Sequence, residues 1–158
     1  MIRFCIVLPT LALVTSLGFS QQQHPKIALT FDDPNLNDQP LLRAQDRAAR
    51  VLVTLNHHHL QAALFVCGMR ISSTAGDSLI QQWNKAGHLI CNHSWSHWYY
   101  PAKKLPILTF YNDFLRCDSL IKKYSGYTKL FRFPYLKEGE TVEKRDSMRL
   151  LLQQLGYG

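Results

Sequence analysis

Apolar residues fall along this chain in short runs that alternate between strand-like and helix-like spacing. The run Lys26–Phe31 is apolar, partly β-branched, and ends at the turn sequence Asp32-Asp33-Pro34-Asn35. From about Pro40, Leu41, Ala44, Ala48, Val51 and Leu55 recur at helical spacing. Ala62–Val66 reads as a second strand closed by Gly68, Ser78–Ala86 as a helix stopped by Gly87, and Leu89–Cys91 as a very short third strand. Pro106 opens a long helix with Ile107, Phe110, Phe114, Cys117, Ile121 and Tyr124 on one stripe. Leu130–Phe133 is a fourth strand, stopped by Pro134. Thr141 then caps a last helix with Met148, Leu151, Leu152 and Leu155 on one face and Gly156 in the C-terminal cap position.

Strands alternating with helices of this length predict an α/β fold of about four parallel βα units. In such folds polar chemistry gathers at the C-terminal ends of the strands. The polar clusters of this sequence fall there. Asp32-Asp33 follows the first strand, His93 and His97 follow the third, and Arg132–Tyr135 follows the fourth. Three clusters from distant positions are thereby expected on one rim.

The residue types on that rim suggest metal chemistry. His93 and His97 lie four apart, which on a helical turn puts both imidazoles on one face. Two histidines and one carboxylate make three protein ligands with an open position, the pattern of a catalytic zinc site. Adjacent side chains of an extended segment point to opposite sides, so one of Asp32 and Asp33 can be a ligand and the other a general base. Arg132 supplies a cation able to hold the base ionised, and the Tyr135 N–H, just past a proline, is free for an oxyanion.

Thr30-Phe31-Asp32-Asp33, Asn92-His93-Ser94-Trp95-Ser96-His97 and Arg132-Phe133-Pro134-Tyr135 together resemble the first three motifs of the polysaccharide deacetylases. These are the NodB homology domains of carbohydrate esterase family 4. The resemblance runs from about Ile27 to the C-terminus. It implies a distorted (β/α) barrel and a divalent metal, usually zinc. It also implies hydrolysis of N-acetyl or O-acetyl groups of a polysaccharide such as chitin oligosaccharide or peptidoglycan. By the same resemblance Asp32 corresponds to the catalytic base and Asp33, His93 and His97 to the metal ligands. Arg132 corresponds to the residue that positions the base, and Tyr135 to the one whose N–H faces the oxyanion. Two positions depart from the pattern: Pro34 and Leu136 stand where the family commonly has glycine. The family's fourth and fifth motifs, the latter with a general-acid histidine, do not occur in these residues. The sequence therefore reads as the N-terminal part of the barrel. The competing reading is a catalytically incomplete fragment that binds metal or glycan.

Length and composition narrow the rest. A chain of 158 residues with 46% apolar and 18% charged residues is about one globular domain. The net charge of +7 is spread out and singles out no nucleic-acid surface. Residues 1–20 have the basic start, apolar run and small residues of a secretory signal peptide, leaving 21–158 as the deacetylase-like domain. That predicts a secreted or periplasmic protein with no stable membrane insertion after cleavage. Cys67, Cys91 and Cys117 sit in apolar stretches and read as buried thiols. His57-His58-His59 reads as an exposed helix end, because consecutive side chains on a helix fan out over different faces. Trp95, Trp98, Tyr99 and Tyr100 are candidates for stacking on sugar rings, with packing in the core or at the rim the alternative for each. No Gly-x-Ser-x-Gly elbow or glycine-rich phosphate loop occurs.

Overall fold

The computed structural model describes residues 26–158, so the expected signal peptide over residues 1–20 lies outside the described residues. Four parallel strands form one sheet: β1 (Leu29–Asp32), β2 (Ala62–Val66), β3 (Leu89–Asn92) and β4 (Tyr127–Phe131), in that spatial order. Helices α1 (Ala44–His57), α2 (Gly68–Ile71), α3 (Thr74–Lys85), α4 (Ile107–Ile121) and α5 (Val142–Gln154) connect and follow them. The α/β architecture with four βα units is the one expected. Among the described residues no helix is long and apolar enough to cross a membrane.

The middle of the sheet is where the sequence is most uniformly apolar. All five residues of β2 are buried, as a parallel strand covered on both faces requires. Leu64 and Val66 pack with Ile90, Leu55, Ile80, Trp83, Cys117 and Ile121 under the helices. Ala63, Phe65 and Cys91 form a smaller cluster on the opposite face. Burial of each large aliphatic side chain in the first cluster stabilises by about 1.5–3 kcal/mol. A further core of Tyr100, Phe110, Phe114, Phe133, Met148, Leu152 and Tyr157 joins α4, α5 and the segment after β4. The apolar stripe of α4 thus serves two cores, its first half facing one and its second half the other.

Several boundaries move, each for a local reason. β1 begins at Leu29 rather than Lys26 and includes Asp32, pairing Leu29–Asp32 with Ala62–Phe65. α1 begins at Ala44, not near Pro40, because Gln39 and Leu42 exchange backbone hydrogen bonds in a turn and Asp38 accepts the Ala44 N–H at 2.8 Å. Leu41, assigned to the helix by spacing, is 93% exposed. Gly68 does not end a strand; it opens α2. The third helix starts earlier than Ser78, because the Ser73 hydroxyl caps it by accepting the Gly76 N–H at 3.2 Å. β4 starts three residues before its apolar run and ends at Phe131, two residues short of Phe133, with Tyr127 opposite Ile90 and Phe131 opposite Asn92. Thr141 caps α5 as expected, accepting the Lys144 N–H at 3.2 Å, and Gly156 takes φ +75° just beyond it.

The sheet curls. Arg132, one residue past β4, donates to Asp32 at the end of β1 at 2.7 Å, with two strands between them. In a flat sheet the first and fourth strands would stand about 14 Å apart, farther than one such side-chain pair reaches. Curvature of this sense is what a barrel-type sheet needs. It brings the C-terminal ends of β1, β3 and β4 around one site.

Candidate metal centre

Asp33, His93 and His97 offer ligand atoms that all lie within 4.8 Å of one another. The His97 Nε2 is 3.2 Å from the Asp33 Oδ2. His93 is buried, and its Nδ1 lies 2.7 Å from the Arg132 carbonyl oxygen. A carbonyl only accepts, so Nδ1 carries the proton and Nε2 keeps a free lone pair. Burial pushes the His93 imidazole below its ordinary value; the Arg132 carbonyl and the two nearby aspartates oppose that shift without reversing it. A neutral imidazole is the form that binds a metal.

The residues fit a divalent cation. The donor set is two imidazoles and a carboxylate, one of which is already fixed in the tautomer that ligation requires. The Asp33 Oδ1 is a buried atom with no hydrogen-bond partner among the described residues. Its nearest cation is the Arg70 Nε, at 3.7 Å, too long for a hydrogen bond.

The route by which the sequence achieves this differs from a helical turn. His93–His97 is a loop in which Ser94 and His97 take left-handed backbone angles, φ 65° and 54°. Four successive N–H groups point at side-chain acceptors. Ser94 donates to the Asn92 Oδ1 at 2.8 Å, Trp95 and Ser96 donate to the Asp113 Oδ2 at 2.9 and 3.0 Å, and His97 donates to the Ser94 Oγ at 3.1 Å. On the other side, the Ser94 and Trp95 carbonyls accept the Gly68 and Met69 N–H groups that open α2. Gly68 is required there because a Cβ would come within 2.5 Å of the Trp95 ring. Arg116 stacks over that ring at 3.8 Å.

Asp32 and Asp33 part company by a similar device. Asp32 ends β1 in extended backbone, while Asp33 turns into the left-handed region at φ 54°. The expectation that they diverge by simple strand alternation is therefore corrected, because the turn itself separates them. Asp32 faces Arg132, whose guanidinium also donates to the Thr30 Oγ1 at 3.1 Å and lies 4.1 Å over the Phe65 ring.

Tyr135 and Leu136 are both left-handed, at φ 57° and 56°, and both exposed. Among the described residues nothing accepts the Tyr135 N–H. The Tyr135 ring meets the His97 imidazole edge-on, with centroids 4.8 Å apart, and Tyr99 packs on it in turn at 5.5 Å. The His57–His59 triplet is exposed at the end of α1, as expected.

Sequence reading missed Asp113 and Arg70 as parts of this site, and gave Asn92, although in the quoted motif, no role. Asp113 did leave a signal, a carboxylate between Phe110 and Phe114 on the buried face of a helix. Arg70 left none.

The polysaccharide deacetylase family model matches residues 20–157 of the chain. No curated protein sequence matches it. Among solved structures the chain is similar to a polysaccharide deacetylase from Bacillus cereus, at 26% identity and a TM-score of 0.62, covering 83% of this chain and 56% of that one. It is also similar to a family 4 carbohydrate esterase from Streptomyces lividans in complex with acetate, at 25% identity and a TM-score of 0.58, covering 80% and 58%. The chitin deacetylase of Colletotrichum lindemuthianum shares the fold, at 21% identity and a TM-score of 0.62, covering 83% and 52%. The chain spans about half the length of the solved structures it matches.

Proposed function

Because the chain belongs to the polysaccharide deacetylase family, we propose that it carries the metal-binding and proton-transfer half of a hydrolase that removes acetyl groups from an exported polysaccharide. The observation that carries this reading is the convergence of Asp33, His93 and His97 beside a separately held carboxylate, Asp32. Asp33, His93 and His97 would hold a divalent cation, with zinc the best match to the donor set. A cation bound there supplies Lewis-acid polarisation of a carbonyl and a water acidic enough to lose its proton near neutral pH.

Asp32 would act as the general base, its carboxylate accepting a proton from water at the rim. The charge-assisted bond from Arg132 holds the carboxylate in place at the rim. The Tyr135 N–H, which has no acceptor among the described residues, would donate to the oxyanion that develops on the acetyl carbonyl oxygen. Trp98 and Tyr99, 41% and 49% exposed on the same rim, offer faces to sugar rings. The N-terminal twenty residues would direct export, so the substrate is an acetylated polymer outside the cytoplasm.

The test is zinc retention and deacetylation of an acetylated chitooligosaccharide. Asp33→Ala is expected to lose metal and turnover together. Asp32→Asn is expected to keep the metal while turnover falls by about 10²–10⁴-fold, the usual contribution of a general base. Full activity in both variants would overturn the assignment. Metal retention without any turnover in the parent chain would favour the non-catalytic binding reading.

A further inference from the structure

The loop that carries both histidines is held by a residue from outside the three family-like motifs. Asp113, on α4, is 6% exposed and accepts the Trp95 and Ser96 N–H groups on a single oxygen. It forms no ion pair among the described residues. Arg116, one turn on, is committed to the Trp95 ring instead. The same helix anchors the start of the loop, because the Asn92 side chain donates to the Phe114 carbonyl at 3.1 Å while accepting the Ser94 N–H.

We infer that Asp113 is the positioning residue of the metal centre, fixing the spacing of His93 and His97 through two of the four peptide units between them. This rests on the metal reading given above. The loop has two left-handed residues and no helical hydrogen bonds of its own, so its conformation depends on what its N–H groups find. Without the carboxylate, the Trp95 and Ser96 N–H groups lose their acceptor. The His97 imidazole, at the far end of the same peptide units, is then free to leave the distance at which it shares a cation with His93 and Asp33.

The test is titration of the full chain with Co²⁺, followed by its visible absorption, and with Zn²⁺ in competition. Asp113→Ala is expected to weaken Co²⁺ binding about tenfold or more, the scale found for groups that orient ligands, and to change the intensity of the bound-cobalt band. Asp113→Asn keeps an acceptor oxygen and should restore binding to within about threefold of the parent. If Asp113→Ala does not fold, Asp113→Glu, which displaces the carboxylate by one methylene, takes its place with the same expected loss. A residue of structural value alone would lower the melting temperature of the metal-free chain yet leave the cobalt band unchanged, and that result would overturn the inference. His97→Ala separates the two claims. If it binds Co²⁺ like the parent, the metal centre itself is wrong; if it loses the metal while Asp113→Ala does not, only the role of Asp113 fails.

Discussion

The two limbs of the candidate site are built to different standards. The histidine limb leaves a central strand, is largely buried, and has every N–H from Ser94 to His97 engaged by a side chain. The aspartate limb leaves β1, an edge strand whose residues are mostly exposed, and is tied across the sheet by the Arg132–Asp32 pair. Such a half-exposed pair contributes at most about 1 kcal/mol. The difference teaches that a site can be preorganised on one side only: the two imidazoles sit in a loop held by many hydrogen bonds, the two carboxylates in a turn held by few.

Substitutions at matched positions sharpen that contrast. His93→Ala removes a buried side chain and strands the Arg132 carbonyl, so unfolding should become easier by about 2–4 kcal/mol in denaturant titrations of the metal-free chain. Asp33→Asn, which keeps a residue that tolerates φ 54°, should change stability by less than about 0.5 kcal/mol while losing metal as thoroughly. Equal destabilisation by both would break the comparison. Gly68→Ala should cost about 1–3 kcal/mol by driving a Cβ into the Trp95 ring, and should weaken metal binding through the histidine limb only.

Acid should act on the same strand from its other end. Burial holds His88, 3% exposed at the entry to β3, below its ordinary value near 6.5. The unfolded chain then takes up that proton at a higher pH than the folded one. Stability from this group is complete above about pH 6.5 and declines as pH falls below it. Thermal melts with chelator present should show that decline, and His88→Gln should make it shallower, the remainder coming from His93, which burial also depresses. The smallest effect expected is at the rim. Leu136→Gly exchanges a strained left-handed residue for one that adopts φ 56° freely, with a net gain of about 0.5 kcal/mol after the entropy of glycine is counted.

Element types and order were legible from periodicity because the buried strands and the α4 stripe are strongly apolar. Boundaries were less legible where a single polar group decides them, as at Asp38 and Ser73. The convergence of the aspartate pair with His93 and His97 could be read because these residues sit at strand ends, where the topology concentrates chemistry; the choice of Asp33 over Asp32 came from the family resemblance alone. The means of holding them could not be read. Local patterns suggest a helical turn for His93–His97, whereas the loop's shape is set by Asp113 and by the N-terminus of α2, partners 17 and more residues away in either direction along the sequence. Leu136 shows the same limit from the other side. It departs from the family's glycine, yet the backbone keeps the glycine-like angle.

Cys67, Cys91 and Cys117 are all free and fully buried, and burial raises each thiol, Cys91 to about 11. Sulfur chemistry needs the thiolate and an approach path, and the folded state withholds both. In an oxidising milieu these three positions therefore act as latent traps: they stay silent while the domain is closed and become reactive during the rare openings that expose its interior.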